Sequence, residues 1–243
     1  MHLSCDYQDN GFSILQQLIC ESELNRIKYH ILSNIADTYS RHSEKPFSNW
    51  EELVTTYSQV SDKQHSLLSA KSDRTFKYEQ VNEILAMTFI EKLKTIIGSF
   101  LVTQEECIGY PEIYWRITRP FQASDIGPLH ADGWFWDLNP SWKPDFFCNR
   151  IKLWVPLEID IGKNGLNVFP RSHNMDFDYT IHNSDGKQKP VLSTFIDQSC
   201  LQLLMTKSMD AVLFHDRLLH GGAPNLSCKP RISFEMTCSR QNG

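Results

Sequence analysis

The sequence lacks most of the features that would place it in a specialised class. It has no basic excess: 24 Lys and Arg against 29 Asp and Glu give a formal net charge of -5. Phosphate binding usually shows as a basic face, so a nucleic-acid partner is not expected. No run of like charge is long enough to form an interaction tail. The seven cysteines, Cys5, Cys20, Cys107, Cys148, Cys200, Cys228 and Cys238, contain no C-x-x-C pair. That absence, with the odd number, argues against a zinc knuckle or disulfide framework and fits a reducing cytoplasm. Between Met1 and Cys20 no basic segment leads into an apolar run and a cleavage site. No stretch is apolar for the length of a bilayer. Neither a secretion signal nor a membrane partner is therefore expected. Internal repeats and low-complexity tracts are also missing.

The rest reads as an ordinary globular chain, 41% apolar and 22% charged over 243 residues, a length that suits one large domain or two small ones. The aromatic residues gather between Tyr110 and Trp154, where large rigid walls are expected. The first hundred residues read as helical. Leu24, Ile27, Ile31 and Ile35 recur at helical spacing, as do Val81, Ile84, Leu85, Phe89, Leu93, Ile96, Ile97 and Phe100. Both stripes predict core packing, and a short helix is expected near Trp50 to Tyr57. From Cys107 the chain turns to short β-type runs: Glu112 to Thr118, Ile151 to Leu157, Leu166 to Phe169, Leu201 to Met205, Ala211 to Phe214 and Ile232 to Cys238. Helices first and strands after predict a single domain, mainly β, in which a helical part (about 1–106) packs outside a β sandwich or barrel (about 107–240). The polar segment 171–193 is expected to be a long loop, either a lid or a surface insertion.

Chemistry concentrates at His130-Ala131-Asp132 and at His220-Gly221-Gly222. In a strand, residues two apart point to the same side, so His130 and Asp132 can aim an imidazole and a carboxylate at one point. With His220 they would complete the two-histidine, one-carboxylate set that holds iron(II) and leaves three adjacent positions open. A chelating co-substrate can take two of these and dioxygen the third. Arg231 follows His220 by eleven positions and opens the run Arg231-Ile232-Ser233-Phe234. A buried guanidinium there suits the far carboxylate of a dicarboxylic acid, and Ser233 would add a further hydrogen bond.

These residues sit in a longer pattern. Gly127-Pro128-Leu129-His130-Ala131-Asp132-Gly133-Trp134-Phe135-Trp136 comes first, then Leu153-Trp154-Val155-Pro156-Leu157. Asn164-Gly165-Leu166-Asn167-Val168-Phe169-Pro170-Arg171-Ser172-His173 follows, and last the stretch from Asp210 through His220 and Asn225 to Arg231. In order and spacing they resemble the phytanoyl-CoA dioxygenase group of iron(II)/2-oxoglutarate oxygenases, over roughly Tyr110 to Cys238. The resemblance implies a double-stranded β-helix (a jelly-roll, cupin-like core) and Fe(II) bound by His130, Asp132 and His220. It also implies 2-oxoglutarate anchored by Arg231, with Trp154 beside it, and O2 as the second co-substrate. Two positions depart from the family. Gly222 stands where a serine is common, which puts one co-substrate contact in doubt, and Met209 stands where a glycine is usual. The retained Asp132 argues against halogenation, for which related enzymes open the site by replacing that carboxylate.

The expected reaction is oxidation, most simply hydroxylation, of a C–H bond in a small polar metabolite. It is centred on iron, with no separate protein acid or base. Tyr114 is expected on the co-substrate pocket. Trp134, Trp136 and Asp137 either choose the substrate or belong to the core, and Arg116 and Arg119 either meet an anionic group or form ion pairs. His173 and His215 are expected to be structural. Two other classes compete: a non-catalytic barrel that kept the pocket, and a zinc or manganese hydrolase or isomerase. The Arg231–Ser233 pair has no evident use in the latter.

Overall fold

The computed structural model describes residues 5–142, 148–184 and 187–241. Its N-terminal part contains α1 (Cys5–Asn10), β1 (Phe12–Leu15), α2 (Glu21–Arg41), α3 (Trp50–Thr56), α4 (Asp62–Ser66), α5 (Tyr78–Leu85), α6 (Thr88–Ile97) and β2 (Leu101–Val102). The apolar stripe of α2 is buried as the spacing predicts, with Ile27, Ile31 and Ile35 fully inaccessible. The second stripe does not form one helix. It breaks between α5 and α6, where Glu23 accepts hydrogen bonds from the Phe89 amide (3.1 Å) and the Thr88 hydroxyl (2.8 Å). The same carboxylate accepts from the Cys20 amide (3.0 Å), so one side chain fastens the starts of two helices.

Then come β3 (Ile113–Thr118), α7 (Asp132–Leu138), β4 (Cys148–Glu158), β5 (Leu166–Val168), β6 (Tyr179–Ser184), β7 (Lys187–Leu192), β8 (Gln202–Leu203), β9 (Ala211–His215), β10 (His220–Gly222) and β11 (Arg231–Gln241). Every strand pairing is antiparallel. A six-stranded sheet runs in the order β1-β9-β4-β11-β2, with β3 also paired to β11, and a three-stranded sheet runs β10-β5-β8. The N-terminal part is thus less purely helical than its pattern predicts, since it supplies β1 and β2 to the large sheet.

β11 shows how the sheet divides two environments. Ile232, Phe234, Met236 and Cys238 join Ile27, Ile31, Ile35, Leu153 and Val155 in one buried apolar cluster under the helices. Arg231, Ser233, Glu235, Thr237 and Ser239 alternate with them and face the other way. Lys152 and Trp154 on β4, and Tyr114 and Arg116 on β3, lie in register beside that polar row. A second apolar cluster of Trp154, Val212 and Phe214 with Leu166, Val168, Leu204 and Leu218 fills the space between the two sheets.

Two further expectations differ from the structure. Segment 171–193 is a loop only in part, because β6 and β7 pair as a hairpin over Tyr179 to Leu192. Tyr179 to His182 alternates apolar with polar for only four residues and Lys187 to Leu192 does not alternate, so the period that marks a half-buried strand is too short to read. Asp185 and Gly186, in the middle of that segment, lie outside the described residues. The other difference concerns Asp132, which is the first residue of α7 rather than part of a strand.

Candidate metal centre

His130 and His220 face each other across a short antiparallel bridge. The amide of each donates to the carbonyl of the other, at 3.0 and 2.9 Å. Ala131 remains extended, and the chain then enters α7. One extended step followed by a helix start still turns the Asp132 carboxylate toward both imidazoles. The Gly133 amide fixes that start by donating to the Asp216 carbonyl at 2.7 Å.

The ligand atoms of His130, Asp132 and His220 all lie within 4.8 Å of one another. Nε2 of His130 is 3.6 Å from Asp132 Oδ1, and Nε2 of His220 is 3.8 Å from Oδ2. Each Nδ1 lies 2.9 Å from a backbone carbonyl two residues back, that of Pro128 or Leu218. An Nδ1–H donated there leaves the Nε2 lone pair facing the cluster, as a metal ligand requires. Burial pushes the His220 imidazole down to about 4, so it is neutral at physiological pH. Burial opposes ionisation of Asp132, yet Lys152, His220 and His130 hold its carboxyl well below the usual range. Its Oδ2 is buried without a hydrogen bond. A carboxylate left in that state, beside two imidazoles whose Nε2 atoms face it, fits a divalent metal.

Arg231 is buried, and its Nη1 donates to the Gly165 carbonyl at 2.5 Å. Burial and nearby Arg116 bring its pKa down to about 10, which leaves it cationic. Nε has no partner, so the guanidinium retains a donor for an incoming carboxylate. A Cβ on Gly222 would lie 3.1 Å from Nη1 and 3.3 Å from Nη2. The guanidinium thus packs into the space where a serine side chain would begin. Met209, the other departure, has φ of 78°, a backbone conformation that favours glycine.

Ser233 and Trp154 are buried on the same side of the sheet as Arg231. The Tyr114 hydroxyl donates to Glu112, and the Lys71 ammonium lies 3.9 Å from its ring centre. Trp134 is buried and stacks on Tyr179 of the β6–β7 hairpin at 4.8 Å. Trp136 lies under the Arg150 guanidinium at 4.8 Å. Both Asp137 oxygens accept from Arg217, each at 3.0 Å. Arg116 is half-exposed and donates to Glu235 at 3.3 Å. His173 and His215 lie together, with ring centres 5.4 Å apart, and neither belongs to the metal-ligand group.

Sequence reasoning missed three positioning or charged residues. The Ser172 hydroxyl accepts from the Leu219 amide at 2.8 Å and so steadies the residue before His220. Lys152 places its ammonium 3.6 Å from Asp132 Oδ2. Burial works against that charge, but Asp132, Glu235 and Glu105 outweigh it and raise the lysine's pKa. Burial likewise opposes the Glu235 charge, while Lys152 and Arg116 bring the carboxyl down to about 2. A usable signal was present: Lys152 and Glu235 are charges inside otherwise apolar strand patterns.

Two antiparallel sheets frame two imidazoles and one carboxylate whose ligand atoms converge closely enough that they could hold one metal ion, and the large sheet also carries the buried Arg231 guanidinium. The chain belongs to the Phytanoyl-CoA dioxygenase (PhyH) family, whose profile matches residues 7–233. Among solved structures it is similar to the non-heme monooxygenase ThoJ, with 13% identity over 98% of this chain and 77% of that one, TM-score 0.60. It is also similar to EvdO2 from Micromonospora carbonacea var. aurantiaca, solved with 2-oxoglutarate (16% identity, 97% and 89% coverage, TM-score 0.57). A third is EctD from S. alaskensis, solved with 2-oxoglutarate and 5-hydroxyectoine (13% identity, 97% and 74% coverage, TM-score 0.60). At these identities the likeness concerns the fold. A search of curated protein sequences found no match.

Proposed function

We propose that this protein is an iron(II)- and 2-oxoglutarate-dependent oxygenase on a double-stranded β-helix, acting on a C–H bond of a small polar metabolite. The reading rests on one observation above others: His130, Asp132 and His220 converge with their metal-binding atoms facing one another, and Asp132 Oδ2 is buried without a hydrogen bond. Family membership and structural neighbours solved with 2-oxoglutarate support it.

His130 and His220 would hold the metal through Nε2, with their tautomers set by the Pro128 and Leu218 carbonyls. Asp132 would complete the set, and the retained carboxylate argues for oxygen insertion over halogenation. Arg231 would anchor the far carboxylate of 2-oxoglutarate by charge-assisted hydrogen bonds, aided by Ser233. Trp154 and the apolar cluster behind it would keep water from that end of the site. With iron bound, 2-oxoglutarate and dioxygen supply the oxidising power, and the products are succinate, carbon dioxide and the oxidised substrate. No side chain is assigned as a separate acid or base. Trp134, Trp136 and Asp137 are engaged with Tyr179, Arg150 and Arg217, which favours a framework role for them. The pairing of β6 with β7, with Tyr179 against Trp134, is compatible with a cover over α7. Seven cysteines without a C-x-x-C pair fit the reducing cytoplasm.

The test is an anaerobic titration of the protein with Fe(II) and then 2-oxoglutarate, followed by a screen for succinate release across metabolite classes. A visible charge-transfer band and substrate-dependent succinate are expected. Metal binding without such a band would favour a different metal enzyme, and no metal binding would favour a non-catalytic barrel.

A further inference from the structure

The neighbour of Asp132 that the proposed chemistry leaves without a role is Lys152. It projects from the middle of β4 into the space between the sheets, with its side chain 6% exposed. Its ammonium is 3.6 Å from Asp132 Oδ2 and 3.4 Å from the Thr237 hydroxyl. Thr237 donates in turn to Glu105 at 2.9 Å, and Glu105 is paired with Lys71 at 2.5 Å. Thr237 and Glu105 thus stand behind Lys152, while Asp132 stands in front of it. A lone ammonium in this interior would be costly, and the surrounding carboxylates offset that cost. The arrangement presents one positive charge to one oxygen of the metal-ligand carboxylate.

We propose that Lys152 is a positioning residue that claims Oδ2 of Asp132 and thereby makes that carboxylate a one-oxygen ligand. This rests on the iron and 2-oxoglutarate reading. A carboxylate with both oxygens free can grip a metal with both and close a position that a co-substrate needs. Oδ2 makes no hydrogen bond and faces both this ammonium at 3.6 Å and His220 Nε2 at 3.8 Å, so the ammonium's charge opposes its capture by a metal and leaves Oδ1 as the favoured ligand atom. The ammonium also draws negative charge away from the other oxygen and repels the dication. Lys152 therefore weakens metal binding somewhat and keeps the site open. The competing account is that Lys152 only neutralises Asp132 while no metal is bound. Under it, the lysine would have no effect once the site is loaded.

The experiment uses Co(II) and Fe(II) as probes on the whole chain, without substrate. Lys152→Met should tighten Co(II) binding by roughly tenfold, at the lower end of the 10–100-fold influence of groups just outside a metal's ligands. It should also move the absorption band of the anaerobic Fe(II)–2-oxoglutarate complex to longer wavelength, because a nearby positive charge no longer disfavours electron transfer from the metal. Lys152→Arg keeps the charge and should restore both readouts toward wild type. Lys152→Gln, neutral but polar, carries the same expectation as Met and serves if the Met variant does not fold. A folded neutral variant with Co(II) affinity within about twofold of wild type and an unshifted band overturns the proposal. A wild-type protein with no band overturns the iron and 2-oxoglutarate reading itself, so the two failures are distinguishable.

Discussion

Arg119 illustrates how a charged side chain eleven positions before His130 can belong wholly to the framework. It follows β3 directly, and its guanidinium donates to both Asp125 oxygens at 3.0 and 2.8 Å, while Nη1 reaches Asp62 at 2.7 Å. Arg119 and Asp125 are both buried. Removing one partner of such a pair leaves an uncompensated charge, so Asp125→Asn should cost about 3–5 kcal/mol in urea unfolding at pH 7. Burial opposes the Asp125 charge, but Arg119 holds its carboxyl below the ordinary value. That stability is present above the unfolded-state pKa and is lost as pH falls through the folded one. The gap between wild type and Asp125→Asn should therefore narrow on acidification below about pH 4. At the metal, His220→Ala should abolish Co(II) binding by titration. Arg231→Met should raise the KM for 2-oxoglutarate with little change in Co(II) affinity. The ligands and Arg231 were legible in the sequence because their order and spacing form a pattern along the chain. Lys152 was not, because its meaning depends on which strand lies beside β4 and on where α7 begins. Neither is written locally.

At the scale of elements, the stretch before β5 carries more than a turn. Gly165 has φ of 140°, and its carbonyl accepts from both Arg231 Nη1 and the Ala223 amide. An added Cβ would also lie 3.3 Å from the Leu203 side chain. Gly165→Ala should cost about 1–3 kcal/mol through backbone strain and weaken 2-oxoglutarate binding by displacing the carbonyl that orients Arg231. Thermal melting and titration of the same variant would check both effects. The strands of the large sheet were readable because one face packs on helices and the other on the interior, which imposes a period. β1, β2 and the β6–β7 hairpin were not. The first two are very short, and the hairpin packs only through scattered residues such as Tyr179, Pro190 and Leu192, too few to impose a sustained alternation.

At the scale of the molecule, the large apolar cluster passes without interruption from α2, α5 and α6 into the outer face of β4, β9 and β11. A helical layer that shares its core with a sheet has no separate unit to unfold. We therefore propose one cooperative domain. Far-UV dichroism and tryptophan fluorescence should report a single coincident transition. Ile31→Ala, at a fully buried position of α2, should lower it for both probes at a cost of about 2–5 kcal/mol.

The two-sided character of β11 has a consequence for how this protein varies. A slip of one residue against β4 would send Ile232 and Phe234 into the metal chamber and Arg231 and Glu235 into the oil beneath the helices. Such a chain could not pack, and on the proposed reading it could not recognise a dicarboxylate. Selection for activity on this strand is thus also selection for faithful folding. Within the correct register, each side is free to diversify without disturbing the other. A library of substitutions at Ile232, Phe234 and Met236 could then be sorted for well-folded members by 2-oxoglutarate capture alone.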